Sequence, residues 1–512
     1  MKSRHLFLFL MAALAYAFGL VPTVDPDMGW HLGTGAWILK HGIPITDPFS
    51  FTARGHFWTA HECLSEVIMR LLYGVGGYPA LMIFFALLGV VVFGFIYASC
   101  PRRPYLAAML AFIAILASRF LWGARPQIFN ILMMSAFLFL IQGVRMRRLH
   151  WKFLYALPLL IMLWVNLHSG YLLGIVVMVA FLTGDLFQAY VLRSEEGTLG
   201  EKGLAHLSGV ILLCVAAACV NPAGYKILLY PFGTLSSRMM QLVILEWQTP
   251  TFHHWNYWPF LAIMSLGSAL FLLFPPKRNI SDFLIYAGSM AMGLSARRHI
   301  PFFAIAAIPI IAQTVCDGFP VPAWGERWRD SVLKGPRRTA RYVLNALLAV
   351  WIMTGIFSWT EFRLKQNPVA MEGSFPVKAV RFMKDHGGIS SLKIYNEYVW
   401  GGYLIWKDMP IFIDGRADLY GDQFFSDYLS AHDMRGGVIP ITRYLNSYAV
   451  DGILVPPGGP LGSAFLTNPE WQLVYRDSTA VLFLRKTALP GRSLTREEKP
   501  VRFYAPLIGK NA

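Results

Sequence analysis

The sequence predicts a membrane all-α domain of about eleven spans, followed by a small extracytoplasmic α/β domain. Composition is the first observation: 55% of the 512 residues are hydrophobic and only 14% are charged, whereas soluble domains carry about 25% charged residues. Second, the apolar residues form separate stretches, many close to the roughly 20 residues that a helix needs to cross a bilayer. Third, strand-like and helix-like patterns alternate after residue 360.

Eleven apolar stretches are candidate spans. They lie at residues 6–24, 78–99, 105–121, 127–144, 153–167, 170–190, 205–220, 258–274, 281–296, 300–316 and 342–360. The first has the basic start and apolar core of a signal peptide, but no small-x-small cleavage site follows it. We therefore interpret it as a retained first helix.

Basic residues cluster in alternate loops and predict the orientation. The clusters are Lys2 with Arg4, Arg102 with Arg103, residues 145–152, Lys277 with Arg278, and residues 327–341. Loops rich in Lys and Arg face the cytoplasm. A cytoplasmic N-terminus and eleven crossings then place the first loop and the C-terminal region outside. The net charge of +16 does not indicate nucleic-acid binding, because no basic and aromatic stripe offers a groove.

The predicted organisation has three parts. Residues 1–360 form the transmembrane domain with a first external loop at 25–77, residues 361–488 form the α/β domain, and residues 489–512 form a basic tail. Within the α/β domain, "LKIYN", "PIFIDG", "DGILVP", "WQLVYRD" and "AVLFLR" are typical of strands. "FPVKAVRFMKDHG" and "GDQFFSDYLSAHDM" are typical of helices.

Polar residues at the predicted external ends of the spans are the candidate site, because charged groups near a bilayer are costly and often functional. They are Asp25, Asp27, His31, His61, Glu62, His168 and Glu246, with the arginines Arg119, Arg125, Arg297 and Arg298. The arginines depart from the positive-inside rule, and guanidinium groups bind phosphate bidentately. The alternative is that they pair with Asp47, Glu62 or Glu246, or extend to lipid headgroups.

Asp25 and Asp27 have two interpretations. Either carboxylate could act as a general base, or the pair could bind a divalent cation such as Mg²⁺ or Mn²⁺. Alternatively, one of them caps the short helix predicted for "MGWHLGTGAWILKHG". His31, one turn after Asp27, could orient that carboxylate or join a metal site, whereas His61 and His168 could instead be hydrogen-bonded packing groups.

The loop "IFIDGRADLYGDQFF" has a similar ambiguity. Asp414, Arg416 and Asp418 follow a predicted strand, where α/β sheets present ligand sites. The alternative, which we favour, is a turn in which Gly415 supplies backbone freedom and Asp414 pairs with Arg416.

Several stretches carry a family resemblance. "DPDMGWHLGTGAWILKHGIPITDPFSF", "WTAHECLSEV", "ARPQIF", "NLHSGYLLG", "VNPAGYKILLYP", "LEWQTP" and "NEYVWGGYLIW…IFIDGRADLYGDQFFSDYL" look like a set of bacterial multi-span membrane proteins. That set resembles the GT-C glycosyltransferases, near the protein mannosyltransferases and the lipid A aminoarabinose transferase. One departure is Gly29, which stands where a second tryptophan of a "WWH" run is expected.

The resemblance implies an enzyme of the bacterial inner membrane that takes a sugar from a polyprenyl-phosphate donor on the outer face. It implies that Asp27, and with it Asp25, is the catalytic base or a metal ligand. The implied reaction is an inverting displacement in which arginines stabilise the departing polyprenyl phosphate, and the α/β domain serves acceptor recognition or acts as a lid. The resemblance leaves the acceptor open among lipid, glycan and protein.

Two other function classes stay open. A transporter or flippase of a lipid-linked or small polar substrate would also be multi-span, but no inverted repeat is visible and the polar residues collect at one face rather than near the midplane. A non-catalytic envelope scaffold would use its external domain to bind a partner.

Overall fold

The computed structural model describes residues 2–101, 103–274, 280–319 and 338–488. These residues form two compact units. The helical unit comprises Met1–Thr23 with Thr59–Gln366, and the sheet unit comprises Val24–Trp58 with the described residues from Asn367 onward. The segment predicted as the first external loop is thus divided, its first part belonging to the sheet unit.

Helices make up most of the described chain. In order they are α1 (Ser3–Gly19), α2 (Met28–His41), α3 (Cys63–Ser99), α4 (Pro104–Ala117), α5 (Gln127–Arg145), α6 (Leu157–Leu167), α7 (Leu172–Leu186), α8 (Gly200–Ala218), α9 (Tyr230–Ser236), α10 (Arg238–Val243), α11 (Trp258–Leu273), α12 (Ile280–Ser295), α13 (Ile300–Gly318), α14 (Arg338–Ser374), α15 (Val377–Asp385), α16 (Gly401–Trp406), α17 (Ala417–His432), α18 (Val438–Ser447) and α19 (Pro460–Ala464). The strands are β1 (Ile394–Asn396), β2 (Gly452–Val455), β3 (Trp471–Arg476) and β4 (Val481–Arg485).

Every predicted span overlaps a helix, and the multi-span prediction is confirmed in kind. Within the described residues, seven helical segments are long and apolar enough to cross a membrane. They are Cys63–Ser99, Gln127–Arg145, Ser169–Val191, Gly200–Ala218, Trp255–Leu273, Arg297–Gly318 and Thr339–Ser374. Shorter apolar helices occupy Ser3–Gly19, Pro104–Ala117 and Trp151–Leu167, so the count of eleven stays a prediction. Arg102, Lys277, Arg278, residues 327–337 and the tail at 489–512 lie outside the described residues.

Helix α3 shows why one predicted span begins late. The helix starts at Cys63, but Gly76 and Gly77 have non-helical dihedral angles, with φ of +63° at Gly77. Glycine adopts such angles without steric cost, and Pro79 lies just beyond. The apolar stretch predicted from residue 78 is therefore the second half of a broken helix.

Close contact between small residues joins α1 to α3. A β-carbon on Gly19 would lie 3.1 Å from the Cα atom of Ala86, so the two backbones approach closely, as in membrane helix pairs. Tyr16, Leu20, Met82 and Ala86 form a buried cluster there.

A four-stranded sheet is the centre of the sheet unit. Its strand order is β1-β2-β4-β3, with β1 parallel to β2 and the other two pairs antiparallel. The strand predicted for "PIFIDG" was wrong, since that segment makes only one parallel bridge, from Ile411 to Ser50. The buried Asn396 side chain makes the backbone hydrogen bonds that a neighbouring strand would otherwise make with this segment. Its Oδ1 accepts from Phe412 N at 2.8 Å, and its Nδ2 donates to Ile413 O at 2.8 Å.

Candidate functional site

Asp25 and Asp27 occupy the turn that leads into α2 of the sheet unit. The Asp25 carboxylate accepts a hydrogen bond from Asp27 N at 2.9 Å, which closes the turn. Asp27 stands immediately before the first helical residue, yet its side chain caps no backbone N–H of α2. Its Oδ1 instead accepts from the indole Nε1 of Trp30 at 3.1 Å. Asp25 therefore has a turn-forming role, and the Asp27 carboxylate is oriented by an aromatic donor.

The Asp27 carboxylate also lies against Gly415. A β-carbon on Gly415 would be 1.8 Å from Asp27 Oδ1 and 3.0 Å from its Cγ. Two of the segments that carry the resemblance, around "DPDMGWH" and "IFIDGRAD", therefore meet within the sheet unit. Their separation by almost 400 positions along the chain hid this contact from sequence reasoning.

Glycines allow α2 and α16 to pack backbone to backbone. A β-carbon on Gly29 would lie 2.3 Å from Gly402 O, one on Gly402 would lie 2.3 Å from Pro26 O, and one on Gly33 would lie 2.5 Å from Ile405 Cγ2. Gly29 therefore replaces the expected tryptophan because no side chain fits there. A stacking role at this position is accordingly absent from this chain.

His31 is a buried group beside Trp30. The residue is 1% exposed, and its ring centroid is 3.6 Å from that of Trp30. Its ring therefore packs against the indole that donates to Asp27, and its orienting role stays a prediction.

Arg416 forms the main ion-pair network of the sheet unit. Its Nε and Nη2 donate to the two carboxylate oxygens of Asp414 at 2.8 and 2.6 Å, and its Nη1 donates to Asp47 Oδ1 at 2.7 Å. The guanidinium also stacks on Trp58, 4.6 Å from the ring centroid. All three charged residues are at most 2% exposed. The geometry is that of the pairing alternative: Asp414 and Arg416 hold a turn, and Asp47 is their partner rather than that of an arginine at a span end.

The pKa values of Arg416 and of the neighbouring Tyr420 are shifted by this network. Burial lowers the pKa of Arg416, but Asp414 and then Asp47 outweigh burial and hold that pKa well above its usual value. Tyr420 donates to Asp414 Oδ2 at 2.9 Å. Burial, and next the Asp414 charge, raise the pKa of the Tyr420 phenol well above its ordinary value.

In the helical unit, Glu62 lies between two histidines. Its Oε1 is 3.1 Å from His168 Nε2 and 3.4 Å from His61 Nε2. Tyr230 stacks on His61 with ring centroids 4.4 Å apart. Glu62 and His168 are 4% and 3% exposed, so the carboxylate is desolvated and depends on these donors.

Hydrogen-bond direction at His168 follows from a neighbouring tryptophan. The Trp164 indole can only donate, and it does so to Asn130 Oδ1 at 2.6 Å. Asn130 Nδ2 therefore faces His168 Nδ1, at 2.6 Å, and Gly170 N donates to the same nitrogen at 3.1 Å. Because Nδ1 accepts, the His168 proton is assigned to Nε2, where it is donated to Glu62.

Two of the four arginines act on one carboxylate. Arg125 Nη1 is 2.6 Å from Glu246 Oε1. The Arg298 guanidinium stacks on Trp247, 4.4 Å from the ring centroid, and the charges that act on it include those of Glu246, Arg125 and Glu62. The helical unit thus brings Arg125, Arg298 and Glu246 together with the Glu62 histidine group.

The other two arginines have different partners. Arg119 lies over Trp255 at 5.0 Å and Arg297 over Tyr257 at 5.5 Å. Arg297 Nε also donates to Thr249 O at 3.3 Å. Phosphate binding by Arg119 and Arg297 stays a prediction that these contacts do not favour.

Three contributors escaped sequence reasoning. Nothing in the sequence separates Tyr230 and Trp247 from the other aromatic residues, whereas Asn130 has a usable signal. It is an amide within an apolar span, and such polar residues in a membrane helix commonly have a specific partner.

Metal binding by Asp25 and Asp27 stays a prediction. Within the described residues, no group of three or more His, Cys, Asp or Glu side chains is arranged to hold a metal ion. Asp25 and Asp27, the residues predicted for Mg²⁺ or Mn²⁺, are engaged by a backbone N–H and an indole N–H. A divalent cation at this pair would require further oxygen ligands around one point.

No protein-family model and no curated protein matches the chain. Solved structures do match it. The oligosaccharyltransferase AglB from Archaeoglobus fulgidus, in complex with an inhibitory peptide and a dolichol-phosphate, aligns with TM-score 0.56 and 11% identity over 96% of this chain and 75% of that one. ArnT from Cupriavidus metallidurans, bound to undecaprenyl phosphate, aligns with TM-score 0.53 and 14% identity over 94% and 98%.

A third match is the arabinofuranosyltransferase AftD from Mycobacteria, with TM-score 0.50 and 12% identity over 95% of this chain and 40% of that one. These likenesses establish the fold. The chain has a GT-C-like fold, as its sequence motifs predicted.

Proposed function

We propose that this chain, which has a GT-C-like fold, is a membrane glycosyltransferase that moves a sugar from a polyprenyl-phosphate donor to an extracytoplasmic acceptor. Structures of the same fold include ArnT bound to undecaprenyl phosphate and AglB with a dolichol-phosphate. They support a lipid phosphate as the donor class.

The observation that carries the proposal is the presence of two guanidinium groups at the Glu246–Trp247 segment. Arg125 Nη1 pairs with Glu246 Oε1 at 2.6 Å, and the Arg298 guanidinium stacks on Trp247, 4.4 Å from the ring centroid. Two arginines that bind one anionic group suit a phosphate, because its oxygens can accept several N–H hydrogen bonds. We infer that the donor phosphate takes the place of the Glu246 carboxylate on these arginines.

Asp27 is the proposed base. It removes the proton from the acceptor hydroxyl or amine, whose lone pair then attacks the anomeric carbon with inversion. The bond from that carbon to the phosphate oxygen breaks, and its electron pair leaves on polyprenyl phosphate. Arg125 and Arg298 stabilise the charge that develops on this oxygen. The reaction requires no covalent enzyme intermediate.

Glu62 and His168 have a supporting role in this proposal. The directional chain from Trp164 keeps a neutral His168 donating to Glu62. Glu62 in turn contributes negative charge near Arg298, which limits the net positive charge of the proposed phosphate site.

The topology is part of the proposal. We propose eleven crossings of a bacterial cytoplasmic membrane, with a cytoplasmic N-terminus, and with residues 25–77 and the C-terminal α/β domain outside. Under this topology, Asp27 and all four span-end arginines face the compartment that contains the acceptor.

Transfer assays test the function. Membranes that contain the wild type or Asp27→Asn are given undecaprenyl phosphate linked to radiolabelled mannose, glucose, galactose or arabinose. Wild-type-dependent labelling of an acceptor that Asp27→Asn fails to support is the expected result. Equal labelling by both proteins removes Asp27 as the base. Movement of the intact labelled donor across the bilayer without transfer indicates a flippase, and neither activity indicates a scaffold.

A further inference from the structure

The proposed base is constrained from two sides within the sheet unit. Trp30 Nε1 donates to Asp27 Oδ1 at 3.1 Å, and a β-carbon on Gly415 would come within 1.8 Å of that oxygen. The backbone of Gly415 is not in the left-handed region. Its dihedral angles therefore do not require glycine, and the requirement is steric: any larger residue displaces the carboxylate.

The turn that contains Gly415 is held in place and cannot easily shift away from Asp27. Its flanking residues, Asp414 and Arg416, are buried and joined by three hydrogen bonds of 2.6 to 2.8 Å. On the other side, a β-carbon on Gly401 would lie 2.1 Å from Ile413 O, so the backbone before the turn is packed against α16. A side chain added at Gly415 must therefore move Asp27.

We propose that Gly415 and Trp30 are positioning residues for Asp27. The hydrogen-bonded Asp414–Arg416 turn holds Gly415 in place and thereby fixes the orientation of the base. The inference rests on the proposed function, in which Asp27 removes the acceptor proton. It assigns the C-terminal region of the chain a role in positioning the base, in addition to any role in acceptor recognition. Misplacing a catalytic group by about 1 Å can lower a rate by about 10²-fold.

Two variants test the positioning role. Gly415→Ala pushes the carboxylate away from Trp30, and Trp30→Phe keeps an aromatic ring while removing the N–H donor. Gly458→Ala is the matched control, because a β-carbon there meets no atom within 4 Å and its φ is not positive. Each is assayed with the undecaprenyl-phosphate-linked sugar that the wild type transfers, and each is checked for thermal unfolding.

For Gly415→Ala we expect kcat to fall by about 10²-fold with the KM for the donor unchanged. Trp30→Phe should lower kcat in the same direction. Both lose a hydrogen bond to the ionised carboxylate, so the acid limb of the rate profile should move to higher pH, by about one unit. Gly458→Ala should match the wild type in both.

The outcomes separate this inference from the proposed function. Wild-type kcat and an unmoved acid limb in a folded Gly415→Ala protein overturn the positioning role, as does a loss of kcat with the limb unmoved in both variants. If Gly415→Ala does not fold, Trp30→Phe decides. Full transfer by Asp27→Asn instead overturns the role of the base itself, whatever the other variants do.

Discussion

His168 Nε2 lies 3.1 Å from Glu62 Oε1. The direction of this hydrogen bond is set by Trp164, which precedes His168 by about one turn of α6. Each step has one possible direction: the indole donates to Asn130, Asn130 donates to His168 Nδ1, and His168 donates to Glu62. A hydrogen-bond network of this kind fixes the orientation of the His168 imidazole and of its N–H donor to Glu62.

Breaking the chain at Asn130 should destabilise the helical unit. Asn130→Leu leaves the Trp164 N–H without an acceptor and removes the donor to His168 Nδ1. An unsatisfied buried donor costs about 1–3 kcal/mol, so thermal unfolding of the purified protein in detergent should occur at lower temperature. Thr183→Val is the control, since that hydroxyl is exposed and bonded within its own helix. Equal unfolding temperatures for Asn130→Leu and the control would show that the Trp164–Asn130–His168 hydrogen bonds do not stabilise the folded protein.

The fork geometry of Arg298 should matter more than its charge. Arg298→Lys keeps a cation but loses the planar pair of donors and the stacking on Trp247. Lysine binds phosphate as a point charge, so the KM for the undecaprenyl-phosphate-linked donor should rise by about tenfold. Arg435→Lys, at an exposed ion pair with Asp433, should leave KM unchanged. An unaltered KM in Arg298→Lys would remove Arg298 from phosphate binding.

Much of the helical fold was predictable because apolar length is a local property. Every predicted span overlaps a helix, and the break at Gly76–Gly77 accounts for the late start of the second. The membership of the sheet unit was not predictable from local pattern. Val24–Trp58 joins the C-terminal region through glycine contacts and the Asp47–Arg416 pair, and pairing between distant positions leaves no periodicity in a single sequence.

The candidate site was predictable only in part, because the sequence shows residue type but not which side chains pair. Residue type and topology selected Arg125, Arg298, Glu62, His168 and Glu246, and the structure groups these five. Residue type and topology could not distinguish Arg125 and Arg298 from Arg119 and Arg297, which have the same charge and the same predicted side. Arg125 and Arg298 interact with the Glu246 charge, whereas Arg119 and Arg297 lie over Trp255 and Tyr257. That difference depends on which side chain faces a carboxylate, and composition does not encode it.

The buried network of Arg416 predicts a large loss of stability. Arg416→Met removes the partner of Asp47 and of Asp414 at once and leaves two carboxylates buried. Breaking a buried pair in this way costs about 3–5 kcal/mol. Arg435→Met breaks an exposed pair that also links residues two positions apart, and should cost at most about 1 kcal/mol. Chemical denaturation followed by tryptophan fluorescence measures both, and similar losses would contradict the assignment of Arg416 as the main electrostatic contact.

Alkaline pH should selectively destabilise the sheet unit. Burial raises the pKa of Tyr420 and of Tyr428 well above the ordinary value of 10.0. A group whose pKa is higher in the folded state binds its proton more tightly there, so its contribution is complete below pH 10 and is lost as pH rises further. The free energy of unfolding should therefore stay level on this account from pH 8 to about 10 and then fall, about 1.4 kcal/mol per pH unit for each tyrosine. Tyr428→Phe removes one ionising group and should make that fall shallower, whereas Tyr155→Phe, at an exposed tyrosine, should not. An identical alkaline slope in the wild type and Tyr428→Phe would place the pH dependence elsewhere in the chain.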